Sequence, residues 1–124
     1  MKIKEVSEKY DLTADTLRYY ERVGLIHDVR RNANGIRDYS EENCDNIAFI
    51  KCMRSANISI EGLVEYMKLF RQGDATRAER KAILVHEREL LQQRMAAMAT
   101  ALERLNHKIK TYDTWSESCP DHTK

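Results

Sequence analysis

The sequence predicts a mainly α protein: two short helices, a small β-hairpin, two helices of moderate length and one long C-terminal helix. Three observations predict it. Only one proline and four glycines occur among 124 residues, so few positions interrupt a helix. Apolar residues recur at spacings of three and four along most of the chain. A hairpin signal, Asn34-Gly35, separates the second helical stretch from the third.

Ile3, Val6 and Tyr10 lie at helical spacing, which predicts a first short helix ending near Asp11. Thr13 is a good N-cap for a second helix, and Asp15 in its first turn suits the helix dipole. Leu17 and Tyr20 share the face turned to the first helix, whereas Arg18, Tyr19 and Arg22 fall off it and are free to meet a ligand. Gly24 stops this helix and lets Leu25 tuck onto the core. Residues 27–32 and 36–39 then read as two strands joined by a tight turn in which Asn34 and Gly35 both tolerate positive φ. Ser40 caps a third helix running to about Ala56, with Ile47, Ile50 and either Met53 or Arg54 reaching inward. Ser59 caps a fourth, carrying Ile60, Leu63, Met67 and Phe70, before Gln72-Gly73-Asp74 breaks the chain. Two short helices joined by a short turn and followed by a hairpin make a winged helix-turn-helix over 1–72.

Thr76 followed by Glu79 predicts a capping box for the last helix, which runs over 76–115 without glycine or proline. Leu84, Leu91, Met98, Leu105 and Tyr112 repeat every seven residues, and Met95, Leu102 and Ile109 fill the second seam position. A helix this long needs a partner to bury its stripe. Packing against the N-terminal core of the same chain is one solution. Pairing with a second chain, parallel or antiparallel, is the other, and the expected architecture is an antiparallel coiled coil that makes a homodimer. The polar tail, 116–124, is expected to be flexible.

Net charge is +1, with 33% charged and 42% hydrophobic residues. The distribution says more than the total. Between Arg18 and Arg37, five arginines (Arg18, Arg22, Arg30, Arg31, Arg37) face only Glu21 and Asp28, whereas 38–72 is net acidic. No apolar run approaches the length of a membrane span, and the start does not resemble a secretion leader. Cys44, Cys52 and Cys119 are an odd, irregular set, better suited to a reducing cytoplasm than to a disulfide framework. An enzyme is not expected: His27, His86, His107 and His122 pair with no evident nucleophile, and no nucleotide loop or acid/base pair is visible. No cofactor and no metal are expected either, because Cys119 and His122 alone make a poor thiolate site.

A helix that enters the major groove must be held by another crossing the backbone, and the first two helices form such a pair. Arginine reads guanine edges and binds phosphate through its planar fork. Arg18, Tyr19 and Arg22 on the second helix, with Arg30, Arg31 and Arg37 on the wing, therefore point to duplex DNA. Two such modules on one coiled coil would read a pseudo-palindromic operator.

The start Met1–Tyr10, the run Leu12–Leu25 with its Arg-Tyr-Tyr-Glu-Arg-x-Gly-Leu core, and Gly35-x-Arg37-x-Tyr39 resemble the MerR family of bacterial transcription regulators. The resemblance covers about residues 1–72 closely and the long helix in outline. It implies a homodimer that binds a promoter with an overlong spacer and bends and untwists it, so that RNA polymerase can engage both hexamers. It assigns DNA contacts to Arg18, Tyr19, Arg37 and Tyr39, and turns Thr13, Asp15 and Thr16 to the groove. Asp15 stands where many members carry a basic residue, and Ile36 where many carry an aromatic one.

Metal-sensing members keep a cysteine or serine where this chain has Thr76 and Arg77, and paired cysteines after the long helix where it has only Cys119. Phe49–Arg54, Ser59-Ile60-Glu61, Leu69–Gly73 and Lys108–Asp113 are instead similar to the aldehyde- and thiol-stress subgroup, the NmlR/AdhR-like regulators. That likeness makes Cys52 the sensor of small electrophiles such as formaldehyde or methylglyoxal, with Lys51 and Arg54 favouring its thiolate. Spacing alone also allows Cys52 to be a small buried filler on an amphipathic helix. A regulator answering a metal or another effector, or a coiled-coil DNA-binding protein that senses nothing, is the alternative.

Overall fold

The computed structural model describes residues 1–114. Five α-helices and one two-stranded hairpin follow in the order α1 (Ile3–Tyr10), α2 (Ala14–Arg22), β1 (Arg30–Arg31), β2 (Arg37–Asp38), α3 (Glu41–Ser55), α4 (Ile60–Arg71) and α5 (Arg77–Thr114), with a 3-10 turn over Asp74–Thr76 before α5. The chain divides into two units, 1–87 and 88 onward. The tail 116–124, with Cys119 and His122, lies outside the described residues.

Within 1–87, α1 closes with Asp11 in the left-handed region, and Leu12 N donates back to Ser7 O. Thr13 then starts α2, its hydroxyl oxygen accepting from Thr16 N at 3.0 Å. After Gly24, the amides of Leu25 and Ile26 both donate to Tyr20 O, which drives the two side chains into the core. Val6, Leu17, Leu25, Ile26, Ile47, Ile50, Leu63 and Met67 are fully buried there. Each contributes about 1.5–3 kcal/mol by leaving water, so this cluster dominates the stability of the unit.

The hairpin is shorter than its pattern suggests, with register Arg30↔Asp38 and Arg31↔Arg37. Asp28 takes a positive φ of 57°, so extended pairing cannot begin at residue 27. The turn is also wider. Asn32 N donates to Ile36 O and Gly35 N to Asn32 O, while Asn32 Oδ1 accepts from the amides of Asn34 and Ile36. Of the Asn34-Gly35 pair only Gly35 adopts positive φ, at 75°. The Asn32 side chain thus caps a three-residue loop that closes in a left-handed glycine.

Ser40 and Asn43 form a reciprocal cap at the start of α3, and Asn43 Nδ2 also donates to His27 O, tying that helix to the chain before the wing. Ser59 caps α4 through Gly62 N. The carboxylate of Glu87, on α5, adds to that cap: Ser59 N donates to Oε1 at 2.8 Å and Ser59 Oγ to Oε2 at 3.2 Å. A Cβ at position 62 would lie 2.9 Å from Glu87 Oε2, so glycine is what admits the carboxylate. The Thr76 hydroxyl, expected to cap α5, instead turns back to the carbonyls of Leu69 and Gly73 and accepts from Arg80 Nε. The carbonyls of Leu69 and Gly73, which also accept from the amides of Gln72 and Thr76, hold the hydroxyl away from the capping role.

The region 88–114 is a single helical stretch. Leu84, in the first unit, and Leu91 are half-buried, whereas Met95, Met98, Leu102, Leu105, Ile109 and Tyr112 are 58–70% exposed.

Candidate nucleic-acid interface

Helix α2 buries Leu17 and Tyr20 and leaves Arg18, Tyr19 and Arg22 exposed, as its periodicity requires. Each of these three is engaged locally. Arg18 Nη1 pairs with Asp15 at 2.9 Å, and the Arg22 guanidinium lies 5.2 Å from the centre of the Tyr19 ring. At the helix start, Thr13 Oγ1 donates to Thr16 Oγ1 at 2.8 Å. On the wing, Arg31 is exposed and donates to Gly35 O at 3.1 Å. Arg30 is exposed as well.

Arg37 does not hang free. Its Nε donates to Glu21 Oε1 at 2.7 Å, and the two side chains are 24% and 26% exposed. This pair joins β2 to α2 across 16 residues. Wing and second helix therefore meet in a half-buried ion pair, and Arg18, Tyr19 and Arg22 share a helix with one of its members. The hydrogen bond to Glu21 raises the Arg37 pKa, so the guanidinium stays charged throughout.

Tyr39 corrects one expectation. It is 2% exposed and belongs to the core, with its hydroxyl buried and without a hydrogen-bond partner among the described residues. Burial pushes its pKa up. Its ring anchors the end of the wing and is not presented to a groove. The Gly-x-Arg-x-Tyr pattern gives no warning of this, because a tyrosine following a two-residue strand can point to either face.

Cys44 is buried and Cys52 is exposed, so in the protomer Cys52 is not a core filler. The two cations flanking it are spent elsewhere. Lys51 Nζ donates to Tyr10 O at the end of α1, and Arg54 Nη1 to Ile58 O at 2.6 Å. On a helix, positions one before and two after do not share a face with Cys52; Lys51 satisfies a carbonyl at the end of α1, and Arg54 one in the connection between α3 and α4. The thiolate-favouring role expected of them is not what their side chains do. Among the described residues, no group of three or more His, Cys, Asp or Glu side chains could hold a metal ion, and no helix is long and apolar enough to cross a membrane.

Residues that sequence reasoning missed are Glu21, Asn43 and Glu87. Each acts on a partner at least 16 residues away. No periodicity signals such a pairing, although Glu21, one of only two acids within the arginine-rich 18–37 stretch, was the one available hint.

The sequence matches the MerR HTH regulatory protein family over residues 1–69, and a second description, MerR, DNA binding, over 44–108. The chain belongs to the MerR family of helix-turn-helix regulators. Members of that family are transcription regulators rather than enzymes. This MerR-type chain is 57% identical over 91 residues to the HTH-type transcriptional regulator AdhR of Bacillus subtilis (strain 168), an alignment covering 73% of this chain and 65%, just under two thirds, of that one. In structure it is similar to a MerR family transcriptional regulator from Listeria monocytogenes, with 46% identity, a TM-score of 0.78, and 92% of this chain and 86% of that one covered. It shares its fold with HiNmlR, a MerR family regulator lacking the sensor domain, bound to promoter DNA, at a TM-score of 0.71 and 22% identity, over 91% and 90% of the two chains.

Proposed function

We propose that this MerR-type chain works as a homodimer on promoter DNA. Two winged helix-turn-helix modules, held by an antiparallel coiled coil of α5 helices, grip the half-sites of a pseudo-palindromic operator in the cytoplasm and distort it for RNA polymerase. One observation carries the DNA reading: the exposed face of α2, with Arg18, Tyr19 and Arg22, is bridged by Glu21 and Arg37 to a wing that carries Arg31. Arg18, Tyr19, Arg22, Thr13 and Thr16 face the major groove, and Arg31 and Arg37 meet the neighbouring backbone. Burial leaves Tyr39 to position the wing. The exposed seam on α5 supports the dimer, because a bare apolar stripe of six large residues is costly in water.

The test is a titration of a palindromic promoter duplex against salt. Phosphate contacts make log K fall linearly with log salt, by roughly 0.9 for each phosphate neutralised. Affinity that ignores both palindrome and salt refutes the reading.

Cys52 is the residue we assign to sensing small electrophiles. Its exposure in the protomer and the likeness to AdhR support this. The thiolate adds to an aldehyde carbonyl: a C–S bond forms, the C=O π bond breaks and its electron pair moves to oxygen, which takes up the proton that the thiol gave up, leaving a hemithioacetal. The adduct then shifts an existing balance between two states of the dimer. Cys52→Ser should keep DNA binding and lose the response of a promoter reporter to formaldehyde; a normal response in that variant removes the assignment.

A further inference from the structure

Four arginines of the interface rest on partners inside the protein. Three partners are local: Asp15 for Arg18, the Tyr19 ring for Arg22, and the Gly35 carbonyl for Arg31. The fourth, Glu21 for Arg37, spans two elements and is half-buried. We propose that Glu21 is a positioning residue for DNA binding: by taking the Nε–H of Arg37, it aims the Nη edge of that guanidinium at a backbone phosphate in one orientation.

The geometry supports this in three ways. At 2.7 Å, Glu21 Oε1 occupies the Nε corner of the fork, which leaves the opposite edge for a phosphate oxygen pair. Half-burial screens the pair less than an open surface pair, so the side chain is ordered before DNA arrives and binding need not order it. Third, the buried Tyr39 hydroxyl makes no hydrogen bond to either member of the pair.

The proposal rests on reading Arg37 as a DNA contact, and it runs against simple electrostatics. Removing an acid from a phosphate-facing surface should tighten binding by charge alone. If Glu21 positions Arg37, Glu21→Ala weakens binding instead.

The experiment uses full-length protein and a duplex selected by the wild-type chain from a randomised pool, read by fluorescence anisotropy, with melting curves to check folding. Glu21→Ala should weaken binding about tenfold, and should cost nothing further in an Arg37→Ala background, because the coupling between contacting partners is then already lost. Glu21→Gln, whose amide oxygen can still accept from Nε, should recover most of the affinity. Arg37→Lys keeps the charge but has no fork, and should bind as weakly as Arg37→Ala; this variant decides the matter should Glu21→Ala fail to fold. Glu21→Ala binding as well as or better than wild type, additive losses in the double variant, or wild-type affinity in Arg37→Lys each overturn the proposal while leaving Arg37 as a contact. Wild-type affinity in Arg37→Ala removes the contact itself, and the proposal with it.

Discussion

The two units of this chain solve the problem of apolar surface in opposite ways. Residues 1–87 fold their large hydrophobic side chains inward, so that eight of them reach complete burial. Residues 88–114 carry a comparable number of large apolar side chains along one helix and leave six of them mostly exposed. The first unit is complete by its own packing. The second leaves its apolar stripe bare in the protomer, which is costly in water. If the stripe serves the assembly proposed above, substitutions in the two units should fail differently.

The sharpest way to break the comparison is to place lysine at Leu91 and Leu105. If the seam pairs two chains, the double variant should lose at least about 5 kcal/mol of association and sediment as a monomer in ultracentrifugation. Dimers persisting in that variant would contradict the coiled coil. Leu17→Ala should act on the other side, costing about 3 kcal/mol of unfolding free energy in a denaturant titration, because the cavity sits in a fully packed core. Leu102→Ala, by contrast, should leave a concentration-independent melt of the first unit unmoved. Arg18→Ala should leave folding intact and weaken operator binding by about 2 kcal/mol, measured by gel shift, the cost of a lost base or phosphate contact. Ser59→Ala should cost about 1 kcal/mol of stability by removing the α4 cap. Smallest of all, Asp15→Asn breaks only an exposed pair and should not shift the melt measurably.

The parts of this molecule legible in the sequence are those whose causes are local. Thr13, Ser40 and Ser59 were readable as caps because a cap acts on residues two or three positions away. Leu17 and Tyr20 were readable as the buried face of α2 because a helix repeats every 3.6 residues. The arginine-rich face followed from the same repeat. What escaped was decided by tertiary packing. The inward turn of Tyr39, the union of Glu21 with Arg37, and the diversion of Lys51 and Arg54 away from Cys52 depend on which elements become neighbours in space. Thr76 is the instructive failure: Thr-x-x-Glu is a sound capping pattern, but the Leu69 and Gly73 carbonyls lie within reach of its hydroxyl and take its proton instead.

The close fit of Glu87 over Gly62 has a consequence for the order in which the protein assembles. The amide and hydroxyl of Ser59, the N-cap of α4, draw their acceptor from a residue 28 positions downstream. On the ribosome, α4 therefore emerges before its final acceptor exists, and the Ser59 amide stays open to water until the third turn of α5 has been made and docked. The reading head is finished only after the chain has begun to build the helix beyond it.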